Sequence, residues 1–306
     1  MQRQYKDWLS EFKHWDQLPH ARDYLIFPQN MGRHLSMDET ALSHGELYTV
    51  ITNKAAKGKS KSIVAMIAGT TSEKIIDILL KLPQRIRDRV EEITLDMAPS
   101  MNIIAKRCFP KATLVTDRFH VQQLATEAVQ EIRIKHRWEA IDKENEEIER
   151  AKKNKKSYHP EILENGDSIK QLLARSRYAL YKSESKWTKD QKQRAQLLFQ
   201  HYPDIEQAYQ LSQHLSWIFE NTKEKIYGYT RLAQWHEKVA QSGFKSFSTI
   251  SRTIMNHYRT ILNYFDNRLT NASAESFNAK IKAFRSQFRG VRNIDFFLFR
   301  LTKIYA

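Results

Sequence analysis

The spacing of apolar positions changes character along the chain. Residues 3–17 set Tyr5, Trp8, Leu9, Phe12 and Trp15 at helical spacing, so a helix with one apolar stripe is expected there. Pro19 and Pro28 punctuate the next stretch, and Gly32 precedes a new pattern. Within 33–40, HLSMDET reads as a short strand ending in acids. ELYTVITN (46–53) is β-branched and aromatic, AAKGKS is a turn, and KSIVAMIAG (61–69) is a further strand. The last two strands predict an antiparallel hairpin. Thr71 or Ser72 would cap a helix carrying Ile75, Ile76, Ile78, Leu79, Leu80 and Leu82, which Pro83 stops. EEITLD (91–96) and ATLVTD (112–117) read as short strands, with a helix over 98–109 between them and another starting at Arg118. Strands alternating with helices predict a mixed α/β sheet.

After about residue 130 the pattern is helical throughout. EIRIKHRWEAIDKENEEIERAKKNKK is dense in both charges, as in a solvated helix laced with ion pairs. Apolar stripes follow at Leu172 and Leu173, at Leu197 to Phe199, at Trp217 to Phe219, and at Ile254, Tyr258, Ile261, Leu262 and Phe265. The expected layout is an N-terminal helical segment (1–33), the first part of an α/β core (34–135), an all-helical insertion (136–268) and a C-terminal basic helix completing the core (269–306).

Composition narrows the function. Lys plus Arg is 50 against 35 Asp plus Glu, a net charge of +15 over 306 residues. With 41% hydrophobic and 11% aromatic residues, the chain has enough apolar surface to fold. A single cysteine, Cys108, excludes an internal disulfide and a multi-cysteine zinc ribbon. No apolar run reaches the ~18 residues of a membrane span, and MQRQYKDWLSEFKHW has no signal-peptide core. A cytoplasmic protein with a polyanionic partner is therefore expected, nucleic acid first. The cations Lys280, Lys282, Arg285, Arg289 and Arg292 cluster near the C-terminus, interleaved with phenylalanines. That is the pattern of a packed helix whose outer face meets phosphate.

Three acids stand where chemistry could sit. Asp38 ends SMD, Asp96 ends ITLD, and Glu275 lies on the late helix of NASAESFNAKIKAF. An acid at the end of an apolar strand sits on a rigid scaffold, although a lone one is more often a helix cap or turn residue. On the late helix, Glu275, Asn278 and Lys282 share one face while Phe277, Ile281, Phe284 and Phe288 share the other.

SMDET, ITLDM, ATLVTDRFHV and NASAESFNAKIKAF, in that order, resemble the catalytic region of DDE transposases of bacterial insertion sequences, ISL-three type. The resemblance runs from about residue 33 to the C-terminus and is weakest across the helical block. It implies a ribonuclease-H-like mixed sheet flanked by helices, interrupted by a large helical insertion before the last catalytic helix. It also implies a catalytic, metal-binding triad of Asp38, Asp96 and Glu275, holding Mg²⁺ or Mn²⁺ as two ions. The Asp-Arg-Phe-His-Val element falls at Asp117 to Val121, with Asp117 and His120 as accessory residues. Asn278, Lys280, Lys282, Arg285, Arg289 and Arg292 are the expected DNA contacts.

The activity so implied is metal-dependent cleavage at transposon ends and strand transfer into target DNA. A homodimer on DNA and a nucleoid-associated location accompany it. Relatives carry an upstream zinc-binding and helix-turn-helix region, which one cysteine cannot build. End recognition by a separate polypeptide is the corresponding expectation, a truncated remnant the alternative. An inactive DNA-binding regulator derived from a transposase, a nuclease of the same fold and a purely helical scaffold remain as other readings. Convergence of the three acids separates the enzymes from the scaffold.

Overall fold

The protein is described by a computed structural model covering residues 4–42, 46–268, 272–287 and 293–306, without the side chains of 272–275 and 287. It divides into two compact units, one of Met1–Phe119 with Arg259–Ala306, the other of His120–Tyr258.

The first unit is built on a six-stranded mixed sheet. Its strands are β1 (Tyr24–Ile26), β2 (His34–Ala41), β3 (Leu47–Asn53), β4 (Ile63–Ala68), β5 (Glu92–Leu95) and β6 (Thr113–Thr116), in the order β1-β4-β3-β2-β5-β6. β1, β4, β3 and β2 pair antiparallel, whereas β5 and β6 run parallel to β2. Parallel neighbours need crossovers. Helices α1 (Ser72–Leu79) and α2 (Gln84–Arg87) lie between β4 and β5, and α3 (Pro99–Cys108) between β5 and β6. α1 and α3 cover one sheet face, burying Leu35, Met37, Ile51, Ile67, Ile93 and Leu95 against Ile75, Leu79, Ile104 and Cys108. β5 reads EITL and is buried along its whole length, as a strand covered on both faces must be.

Two local expectations change. The stripe over 3–17 is not one helix: it forms short helical turns, Tyr5–Leu9 and Glu11–His14, separated by an extended Ser10 that bonds the following turn. Packing onto Phe296 and Phe299 draws Phe12 in and leaves Trp8 and Leu9 exposed. The chain then enters the sheet as β1, three residues too short to show a period.

The second unit is helical among its described residues. α4 (Arg118–Lys153) begins two residues before it and is followed by α5 (Ile169–Arg175), α6 (Lys189–His201), α7 (Pro203–Asn221), α8 (Lys225–Ser242) and α9 (Lys245–Asn256). Capping boxes start α5 at Ser168/Gln171 and α6 at Thr188/Gln191, each satisfying two orphan donors. The far half of α4 carries its mixed charges in solvent, as its sequence predicts. The core is apolar, with Leu173, Leu198, Leu215, Phe219, Trp235 and Phe247 buried. Asp167, also buried, is held by Arg175 and by Arg194 at 3.0 Å.

The chain returns to the first unit through α10 (Tyr258–Leu262) and α11 (Tyr264–Asn267), then α12 (Ala272–Gln287) and α13 (Ile294–Tyr305). α12 and α13 cover the other face of the sheet. Phe277, Ile281, Phe297 and Leu301 pack on Leu25, Tyr48, Val50 and Met66. The aromatic stripe read from the sequence is thus core at Phe277 and Ile281, with Phe284 packed against it; Phe288 lies outside the described residues. Among the described residues no helix is long and apolar enough to cross a membrane.

Candidate active site

Three aspartates lie along the run of parallel strands β2, β5 and β6. β2 and β5 are in register through Ser36↔Thr94, and β5 and β6 through Leu95↔Thr116. Asp38 and Asp96 each lie two residues beyond the first pair, and Asp96 and Asp117 one beyond the second. The sequence therefore sets three aspartates at matched positions on neighbouring strands. Side chains alternate along a strand, so Ser36 and Asp38 share the face of Thr94 and Asp96, the face that α12 covers.

Asp38 is not at the end of its strand, as the sequence suggested. β2 continues to Ala41 in its pairing with β3, while its ladder with β5 stops at Ser36. What ends there is β5, which leaves one edge of β2 bare beside Asp38. The sheet also changes direction here, since β3 follows β2 on one side and β5 lies on the other. Such a switch point opens a crevice for ligand.

Helix α12 is tied directly to this point. Asn278 Nδ2 donates to Asp38 Oδ2 at 2.6 Å. Asp38 Oδ1 accepts the Glu39 amide at 2.8 Å, and Asp96 Oδ1 accepts the Met97 amide at 2.5 Å. Both carboxylates are thereby oriented yet half-exposed. Glu39, next door, has its pKa raised by partial burial and then by the charges of Asp38 and Asp96.

Glu275 lies in α12 one turn before Asn278; its side chain is outside the described residues. Among the described residues, no three His, Cys, Asp or Glu side chains form a metal-holding group. The available donors are carboxylate and amide oxygens, which suit Mg²⁺ or Mn²⁺ rather than a thiophilic metal.

Asp117 differs from its neighbours. It is 1% exposed, its Oδ1 accepts the Phe119 amide at 3.3 Å as a cap of α4, and its Oδ2 is buried without a hydrogen-bond partner. His120 occupies the first turn of α4 and is half-buried. Beneath the acids lies a polar floor that sequence reading missed. Lys54 Nζ lies 3.3 Å from Glu92 Oε1 and also donates to Thr94 Oγ1. Asn267 Nδ2 donates to Glu92 Oε2 at 3.1 Å. Burial lowers the Lys54 pKa, while the charges of Glu92 and Asp117 act to raise it. Asn53 holds the turn that delivers Lys54, accepting the Ala55 amide at 3.0 Å. Gly32 makes room for that asparagine: a Cβ there would come within 2.3 Å of Asn53 Oδ1.

The expected DNA contacts divide. Lys282 is exposed. Lys280 donates to the Gly58 carbonyl at 2.9 Å, which fixes α12 to the β3–β4 loop. Arg285 lies over the Phe297 ring, 4.9 Å from its centroid, and is half-buried. Arg289 and Arg292 fall outside the described residues.

The family model of ISL-three-type DDE transposases, described as Transposase, matches residues 35–301. No curated protein and no solved structure matches the chain.

Proposed function

This chain belongs to the ISL-three-type family of DDE transposases, and we propose that it cuts DNA at transposon ends and joins them to target DNA with Asp38, Asp96 and Glu275. The observation that carries the proposal is the hydrogen bond from Asn278 to Asp38. It ties the helix of Glu275 to the first of two aspartates at matched positions on register-matched parallel strands, Asp38 within β2 and Asp96 just past β5. A meander of antiparallel strands followed by two parallel ones also supports a ribonuclease-H-like sheet, with the helical unit as an insertion.

The chemistry needs a nucleophile and a stabilised leaving oxygen. When bound, two divalent cations activate the nucleophile and neutralise charge at the leaving oxygen. Asp38, Asp96 and Glu275 would hold them, since hard cations prefer several carboxylate oxygens. Water attacks the phosphorus at the transposon end; the bond from phosphorus to the transposon's own 3′-oxygen breaks, the phosphate stays on the 5′ end of the flanking strand, and the transposon keeps a 3′-hydroxyl. That hydroxyl attacks a target phosphodiester in turn, displacing a target 3′-oxygen. Asn278 orients Asp38 throughout, and Lys282 with Arg289 and Arg292 would hold the DNA backbone. Backbone contacts position DNA without reading it. Handling two ends calls for a dimer on DNA.

The test is cleavage and joining of end-containing duplexes in Mg²⁺ or Mn²⁺. Asp38→Asn, Asp96→Asn and Glu275→Gln should each abolish both steps and retain DNA binding. Full activity in any one of them removes that residue from the triad.

A further inference from the structure

Well away in sequence from the acids, the helical unit gathers positive charge without matching negative charge. Arg133 is 5% exposed, and its Nε and Nη1 donate to Gln130 Oε1 and to the Leu173 carbonyl, each at 2.7 Å. Burial lowers its pKa, and so do the charges of Arg137 and Arg177, with Tyr181 alone acting the other way. The same Gln130 side chain donates its Nε2 to the Arg177 carbonyl at 3.2 Å, so Arg133 and Arg177 are gathered on one glutamine. Arg137 Nε is enclosed and has no hydrogen-bond partner. Arg177 is exposed and lies over the Tyr178 ring, 5.6 Å from its centroid. Glu139, an acid farther along α4, is already engaged by His136 at 3.0 Å.

Like charges repel, so grouping arginines around a buried one is unfavourable unless an anion completes the group. Guanidinium forks match phosphate oxygens in shape and charge. Exposed rings adjoin these arginines along the chain: Trp138, next to Arg137, is 57% exposed, Tyr178, next to Arg177, 65%, and Tyr181 43%. Arginine beside exposed aromatic rings fits a phosphate backbone with sugars or bases against the rings.

We propose that Arg137 and Arg177 form a second DNA-backbone contact on the helical unit, flanked by Trp138, Tyr178 and Tyr181. The proposal rests on the transposase reading for its ligand, because a chain of net charge +15 that acts on DNA meets phosphate before any other polyanion. A protein partner with an acidic surface is the competing occupant.

The experiment measures binding of the full chain to a fluorescent random-sequence DNA duplex by anisotropy, in EDTA, across a salt series. Each phosphate contact adds about 0.9 to the slope of log affinity against log salt. Arg177→Gln should lower the slope by about one, and Arg137→Gln with Arg177→Gln by about two, with about ten-fold weaker binding. Arg137→Lys with Arg177→Lys should keep the slope, since charge is retained. Arg177 is exposed, so its single variant remains informative should the double variant fold poorly. Slopes unchanged in the single and double variants would overturn the proposal and favour the protein partner. Cleavage by the wild type in Mg²⁺, run in parallel, separates the outcomes. Unchanged slopes with an active wild type sink this surface alone, whereas absence of any wild-type DNA binding sinks the transposase reading too.

Discussion

Replacing Lys54 by methionine would probe the floor of the acid site. The lysine side chain is 8% accessible and that of Glu92 3%, so the pair is shielded from water. Lys54→Met keeps most of the volume and removes the charge. It leaves Glu92 as a buried carboxylate whose remaining partners are Asn267 at 3.1 Å and Thr94 at 3.4 Å. Removing one partner of a buried pair costs about 3–5 kcal/mol. Because Glu92 retains two hydrogen-bond donors, a loss of about 3 kcal/mol is expected, near the lower end of that range. The companion variant, Glu92→Gln in the Lys54→Met background, removes the stranded charge and should restore about 2 kcal/mol, since the two deletions share one interaction. Urea unfolding followed by circular dichroism gives the midpoints, with an unchanged slope ensuring like-for-like comparison. A loss below about 1 kcal/mol in Lys54→Met, or strictly additive losses in the double variant, would refute this account of the floor.

Three further outcomes are expected. Asn278→Ala removes a hydrogen bond to a charged acceptor, worth about 1.5–3 kcal/mol, so end cleavage should fall about ten-fold or more while DNA binding holds; an unaffected rate would detach Asn278 from catalysis. In the helical unit, burial alone would raise the Asp167 pKa, but hydrogen bonds from Arg194 and Arg175 outweigh it and hold the carboxyl below its ordinary value. Its contribution is therefore complete above about pH 4 and is lost as pH falls through the lowered value; thermal unfolding against pH should steepen in that acid range, and Asp167→Asn should flatten it. Gly32→Ala forces a methyl group against Asn53, and a stability loss of about 1–3 kcal/mol should appear in urea unfolding; a neutral result would mean that Asn53 moves freely.

Much of this architecture is written in local patterns. β3, β4, β5 and β6 carry β-branched runs between turn residues, and α3 shows its four buried positions at helical spacing. Asp38, Asp96 and Asp117 stand out in sequence because each follows an apolar run, but only strand order makes them neighbours. β1 was illegible because three residues carry no period. The stripe over 3–17 misled because its apolar spacing serves packing on α13 rather than a continuous helix. Lys54, Glu92 and Asn267 come from a turn, a strand start and a short helix, and no single window contains their relation. The Arg133, Arg137 and Arg177 group was hidden likewise, since 40 residues separate its last two members.

The central claim, that Asp38, Asp96 and Glu275 share one divalent-cation site, is tested most directly by letting Fe²⁺ take that site. With ascorbate and peroxide, bound iron cuts the polypeptide near its ligands. The account predicts breaks close to residues 38, 96 and 275 that Mg²⁺ suppresses together and that Asp38→Asn abolishes at all three places. Cuts near 38 and 96 with none near 275, or a pattern indifferent to Mg²⁺, would contradict it.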